Sequence, residues 1–315
     1  MRRGIGRGAA RALLAGGLLV SLAAAAAAEL RVVVTIKPLH ALVAGVMAGA
    51  GTPELLVKGT ASAHTYALKP SDAAKLNQAD IFFRMSEVME PFTTKVAKSL
   101  PKRVQVVTLQ DTPALQLLPR RTGSTFEDEH DEDHDHDHGH KHERDAMDGH
   151  AWLDPVNAKL MADRIAEVLS AKEPAKASLY RANAEALKTK LDELNAEIAR
   201  DLAPIADKHF VVFHDALQYF ERRYGLKAVG SIAMSPEVAP SAKRLSTLRK
   251  RVATLGAVCV FAEPQFDTRL ANNLVEGTRA RTGTIDPEGS KIEAGPDLYF
   301  TLLRNLARDL QGCLA

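Results

Sequence analysis

The sequence predicts an α/β protein of two (β/α)4-type lobes with parallel sheets, joined by one long helix. Short β-branched runs alternate with helical stretches, both halves repeat that order of elements, and an amphipathic stretch framed by Pro174 and Pro204 lies between them. Alternation of this kind implies parallel strands and right-handed crossovers.

The first 28 residues stand apart. Arg2, Arg3, Arg7 and Arg11 precede an apolar run from Ala12 to Leu22, and Ala26-Ala27-Ala28 close it before Glu29. A basic head, a short apolar middle and a small-residue exit describe a cleavable secretory signal peptide over residues 1–28. The rival reading, a membrane anchor, is disfavoured by the alanine content and by the lack of any later stretch of spanning length. Gly4 and Ile5 after the arginine pair argue against a twin-arginine signal. The full chain carries 41 basic and 39 acidic residues. Without the leader's four arginines, 37 basic residues face 39 acidic ones, so the apparent basicity belongs to the leader. Nucleic acid is therefore not an expected partner, because its recognition needs a clustered basic face.

Lobe one is expected over residues 29–174. Its strands are 31–36, 54–57, 81–83 and 104–109, and its helices 38–49, 70–79, 87–100 and 155–169. A polar segment, 120–147, interrupts it. Leu187, Leu191, Leu194, Ile198 and Leu202 then recur at helical spacing and define the linking helix, 175–203. At 1.5 Å per residue it would reach about 42 Å, enough to cross both lobes. Lobe two is expected over 204–315, with strands 210–213, 227–232, 257–261 and 282–285 and helices 216–224, 241–255, 268–280 and 296–310.

Histidine is the informative residue type. Six of the eleven, His130, His134, His136, His138, His140 and His142, share one acidic run inside the polar segment. That run has nothing to bury, and its imidazoles and carboxylates suit borderline divalent metals such as zinc. His64, His150 and His214 each follow a predicted strand, and open parallel sheets bind ligands at the carboxyl ends of their strands. Asp286 occupies a similar position. Three imidazoles from two facing lobes, with water or one carboxylate as fourth ligand, make a zinc site. Asp154, Asp215 and Glu263 are candidates for orienting those imidazoles, whereas His40 and His209 read as ordinary hydrogen-bonded residues. Cys259 and Cys313 either pair, closing a loop of about 55 residues worth roughly 4 kcal/mol, or stay as buried thiols.

These residues resemble a known family. His64–Asp72 (HTYALKPSD), Asp148–Pro155 (DGHAWLDP), Phe213–Phe220 (FHDALQYF), Phe261–Phe266 (FAEPQF) and the histidine-rich run look like the ZnuA-type, metal-specific solute-binding proteins of ABC uptake transporters. The resemblance covers residues 30–315. It implies a periplasmic protein of two lobes on a rigid helix, Zn2+ in the cleft on His64, His150 and His214, and delivery to an inner-membrane ABC permease. A periplasmic zinc chaperone as a further partner and a monomeric state go with it, as does a Cys259–Cys313 disulfide in lobe two. Manganese-type relatives carry a carboxylate at the position of His214, so a third imidazole argues for zinc over a harder cation. Some zinc-type relatives have Glu before the first ligand histidine. Here that residue is Ala63, which leaves the fourth place to Asp286 or water.

Two other classes remain to be separated. A surface adhesin shares the fold, although the leader has no lipobox cysteine. A three-histidine zinc hydrolase would need a positioned base, and the chain has no HExxH pair, nucleophile elbow or phosphate loop. A non-enzymatic binding protein is the expectation.

Overall fold

The computed structural model describes residue 1 and residues 29–121, 126, 147–233, 235, 238–256 and 258–315. Residues 2–28 of the expected signal peptide and the six loop histidines lie outside the described residues. The first sheet contains β1 (Val32–Val34), β2 (Glu54–Leu55), β3 (Ile81–Arg84) and β4 (Gln105–Thr108), in the order β2-β1-β3-β4. The second contains β5 (His209–Val212), β6 (Lys227–Ser231), β7 (Cys259–Ala262) and β8 (Arg281–Thr284), in the order β6-β5-β7-β8. Every ladder is parallel, so the carboxyl ends of each sheet share one edge. The two lobes thus repeat one topology without a repeated sequence.

Helices α1 (Lys37–Val46), α2 (Pro70–Gln78) and α3 (Thr93–Ser99) connect the first sheet. After the histidine-rich segment the chain resumes as α4 (Pro155–Lys172) and then α5 (Ala177–Leu202). Asp154 caps α4 by accepting from the Val156 N–H, and Pro155 begins it with φ already helical. The long helix α5 buries the expected stripe of Leu187, Leu191, Leu194, Ile198 and Leu202. It packs on α1 and α4 of lobe one and on the C-terminal helix of lobe two. In lobe two, α6 (Gln218–Tyr224), α7 (Ala242–Leu255), α8 (Arg269–Val275) and α9 (Leu298–Leu314) follow the strands. Gly225 ends α6 at φ 69°, a left-handed position where a side chain would be strained. One continuous apolar core runs from β1 and α1 through α5 into α9. The lobes are therefore not beads on a string; α5 and α9 sit in a shared interior.

The largest departures from the sequence expectation are at two helix ends. The third helix starts at Thr93 instead of Glu87. Glu90 turns back, and its carboxylate accepts from the Met85 and Ser86 N–H groups and from the Thr35 hydroxyl. Those bonds shape 85–90 as a turn, and Pro91 then favours an extended predecessor. The helix after β7 ends at Val275, and Gly277 at φ 74° belongs to the turn that follows. The cysteines are paired: Cys259 of β7 and Cys313 of α9 form a disulfide with Cα atoms 6.0 Å apart. Among the described residues, no helix is long and apolar enough to cross a membrane.

Candidate metal centre

His64, His150 and His214 converge where the carboxyl ends of the two sheets face each other. Nε2 of His150 lies 3.3 Å from Nε2 of His64 and 3.3 Å from Nε2 of His214. One ligand atom from each residue falls within 4.8 Å of the other two. Tetrahedral zinc with Zn–N bonds of about 2.0–2.1 Å places its ligand atoms roughly 3.3 Å apart. The three nitrogens are thus spaced close to a coordination shell. His150 and His214 are buried and His64 is half-buried.

Two of the imidazoles are aimed by carboxylates. His150 Nδ1 is 2.6 Å from Asp148 Oδ1, and the His150 backbone N–H donates to the same oxygen. His214 Nδ1 is 2.7 Å from Glu263 Oε1, which also accepts from the His214 backbone N–H at 3.2 Å. A proton held on Nδ1 leaves the Nε2 lone pair for metal, and the carboxylate makes that nitrogen more basic. Glu263 thus has the orienting role. Asp148, which sequence reasoning passed over, has the same role at His150. The signal for it was local: an acid two residues before a candidate ligand, separated from it by glycine. Gly149 lets the loop pass close to Met89: a Cβ there would stand 3.0 Å from that of Met89, so one of the two would have to shift.

Asp154 and Asp215 do other work. Asp154 caps α4 and takes two bonds from Arg223. Asp215 pairs with Arg121, which also forks onto buried Glu221. Tyr219 accepts from the Leu118 N–H and donates to the Asp148 carbonyl, so lobe two grips both stems of the histidine-rich segment. Asp286 is outside the three-histidine cluster; its oxygens accept from Gln265 Nε2 (3.1 Å) and Ser290 Oγ (2.8 Å). His40 bonds the Pro53 carbonyl and His209 that of Leu255, as expected of structural residues.

The electrostatics suit a cation bound by neutral imidazole. Burial, then the neighbouring imidazoles, push His64 and His150 well below the ordinary histidine range. Burial opposes charge on His214 too, but Glu263 outweighs it and raises this group. Burial pushes Asp148 up to about 7 and Glu288, another buried acid sequence reasoning did not single out, up to about 8. Glu288 accepts from the Ala63 backbone beside the first histidine, and its field acts on His214. The imidazoles border a cavity of about 320 Å3, also lined by Val88, Met89, Pro91, Arg120 and Ser235.

The family profile described as "Zinc-uptake complex component A periplasmic" matches residues 32–313. The chain belongs to the ZnuA family. It is 46% identical over 306 residues to the high-affinity zinc uptake system protein ZnuA of Brucella suis, covering 90% of this chain and 91% of that one. It is 36% identical to the protein of the same name from Haemophilus ducreyi, covering 94% and 97%. Among solved structures, the Zn(II)-bound ZnuA-like domain of AdcA from Streptococcus pneumoniae superposes with TM-score 0.68 at 26% identity, covering 91% and 99%. The laminin-binding protein Lmb of Streptococcus agalactiae, described as having adhesin and metal transporting activity, gives TM-score 0.74 at 26% identity, covering 91% and 100%.

Proposed function

We propose that this protein captures Zn2+ in the periplasm on His64, His150 and His214 and delivers it to an ABC permease in the inner membrane. Membership of the ZnuA family makes it a solute-binding protein of zinc uptake. The observation that carries the ligand assignment is the convergence of three Nε2 atoms, two of them backed by carboxylates on Nδ1. The fourth place is met from solution. Asp286 would have to surrender its bonds from Gln265 and Ser290 to fill it.

Residues 1–28 serve as the export signal, and the mature monomer divides into lobes 29–174 and 204–315 around the helix 175–203. The run from His130 to His142 acts as a weaker auxiliary zinc collector, because ordering chain around an ion costs conformational entropy. Loading by a periplasmic zinc chaperone fits the same scheme.

Metal analysis of the purified mature protein tests the ligand set. His64→Ala, His150→Ala and His214→Ala should each lose the tight zinc equivalent. One tight zinc retained in any of the three variants would remove that residue from the site.

A further inference from the structure

The cleft contains a cation where a simple zinc trap should avoid one. Arg120 lies on the wall of the cavity above the three histidines. It shares that cavity with His64, His150 and His214, so its positive charge faces the space a bound dication would occupy. The neighbouring Arg121 is neutralised by Asp215 and Glu221. Arg120 makes no hydrogen bond or ion pair with any described residue. The nearby carboxylates have partners of their own: Asp148 and Glu263 the imidazole Nδ1 atoms, Asp286 Gln265 and Ser290, Asp215 Arg121, and Glu288 the Ala63 backbone N–H. Among the described residues, none adds a fourth ligand to the cluster. The cavity has far more room than one ion and one water need, since a water occupies roughly 10–15 Å3 of such space. Part of its wall is apolar, formed by Val88, Met89 and Pro91.

We propose that the cleft holds Zn2+ as a mixed complex, in which a small organic carboxylate from solution takes the fourth coordination position and is held by Arg120. The inference rests on the three-histidine zinc site. One carboxylate oxygen replaces water on the metal, and the anion's charge lies between two cations that would otherwise repel. The guanidinium donates to the carboxylate, a charge-assisted contact stronger than a neutral one. The carbon chain of the anion lies against the apolar wall.

The test is zinc affinity of the full mature protein by competition with a chromophoric chelator. It is run in sodium nitrate and in sodium butyrate at equal ionic strength and pH, with solution zinc–butyrate accounted for. Butyrate should tighten zinc binding by about tenfold, the size of one hydrogen bond to a charged group. Native mass spectrometry should show one protein, one zinc and one butyrate. Arg120→Gln should lose both the enhancement and the ternary mass, and Arg120→Lys should keep part of each. Equal zinc affinity of the wild type in nitrate and butyrate would overturn the proposal, as would an enhancement that survives in Arg120→Gln. Failure of the three-histidine reading is a separate result, because the wild type would then bind no zinc tightly in nitrate either.

Discussion

The two lobes share one strand order but support their histidines by different means. In lobe one, His150 and its orienting acid Asp148 sit two residues apart in one loop, pressed onto Met89 through Gly149. In lobe two, His214 follows β5 and its acid Glu263 follows β7, the neighbouring strand, 49 residues away. The first support is local and would survive small shifts of the sheet. The second exists only while β5 and β7 are in register. Lobe two also carries the disulfide, which ties that same strand β7 to α9. A covalent tie thus falls in the lobe whose ligand depends on sheet geometry.

That contrast can be broken at several points. The largest effect is expected from removing the disulfide. Cys259→Ser with Cys313→Ser should cost about 4 kcal/mol by loop entropy, read by denaturant unfolding of the apo protein. Stability equal to wild type would show that the tie contributes nothing to the lobe.

Next come the two acids. Asp148→Asn and Glu263→Gln should each weaken zinc binding about 10–100-fold, the usual cost of losing the partner that orients a ligating imidazole. Their pH profiles should separate them. Glu263 raises His214, so His214 is the first ligand to take a proton as pH falls, and protons displace zinc from it first. Burial keeps His64 and His150 neutral further down. Wild-type affinity should therefore begin to fall above the ordinary histidine value and steepen below about pH 6. In Glu263→Gln the onset should move to lower pH, because the group that raised His214 is gone. In Asp148→Asn the onset should move less, since Glu263, which bonds the His214 ring directly, is still in place. Titration calorimetry at several pH values reads both, and coincident profiles for the two variants would dissolve the distinction between the lobes.

The smallest effect on the cleft should follow deletion of 127–142. Total zinc per protein should drop while affinity of the tight site stays the same. An unchanged stoichiometry would leave the histidine-rich run without a role in binding.

What could be read in the sequence follows the range of the interactions. Strand and helix alternation and the stripe from Leu187 to Leu202 are local patterns, and both reappear in the fold, which also brings His64, His150 and His214 together. The late start of α3 was hidden, because it depends on Glu90 reaching back to Met85, Ser86 and, across the sheet, Thr35. Asp154 and Asp215 looked equivalent to Glu263 in sequence. Only the folded chain shows that arginines 223 and 121 claim the first two and leave Glu263 for His214. Asp286 follows a strand as His214 does, yet its oxygens turn to Gln265 and Ser290.

X-ray absorption at the zinc edge of the mature protein, loaded with one equivalent, tests the central claim most directly. The account predicts three imidazole nitrogens at about 2.0–2.1 Å with one further light-atom ligand. A shell with two or fewer imidazoles would contradict it.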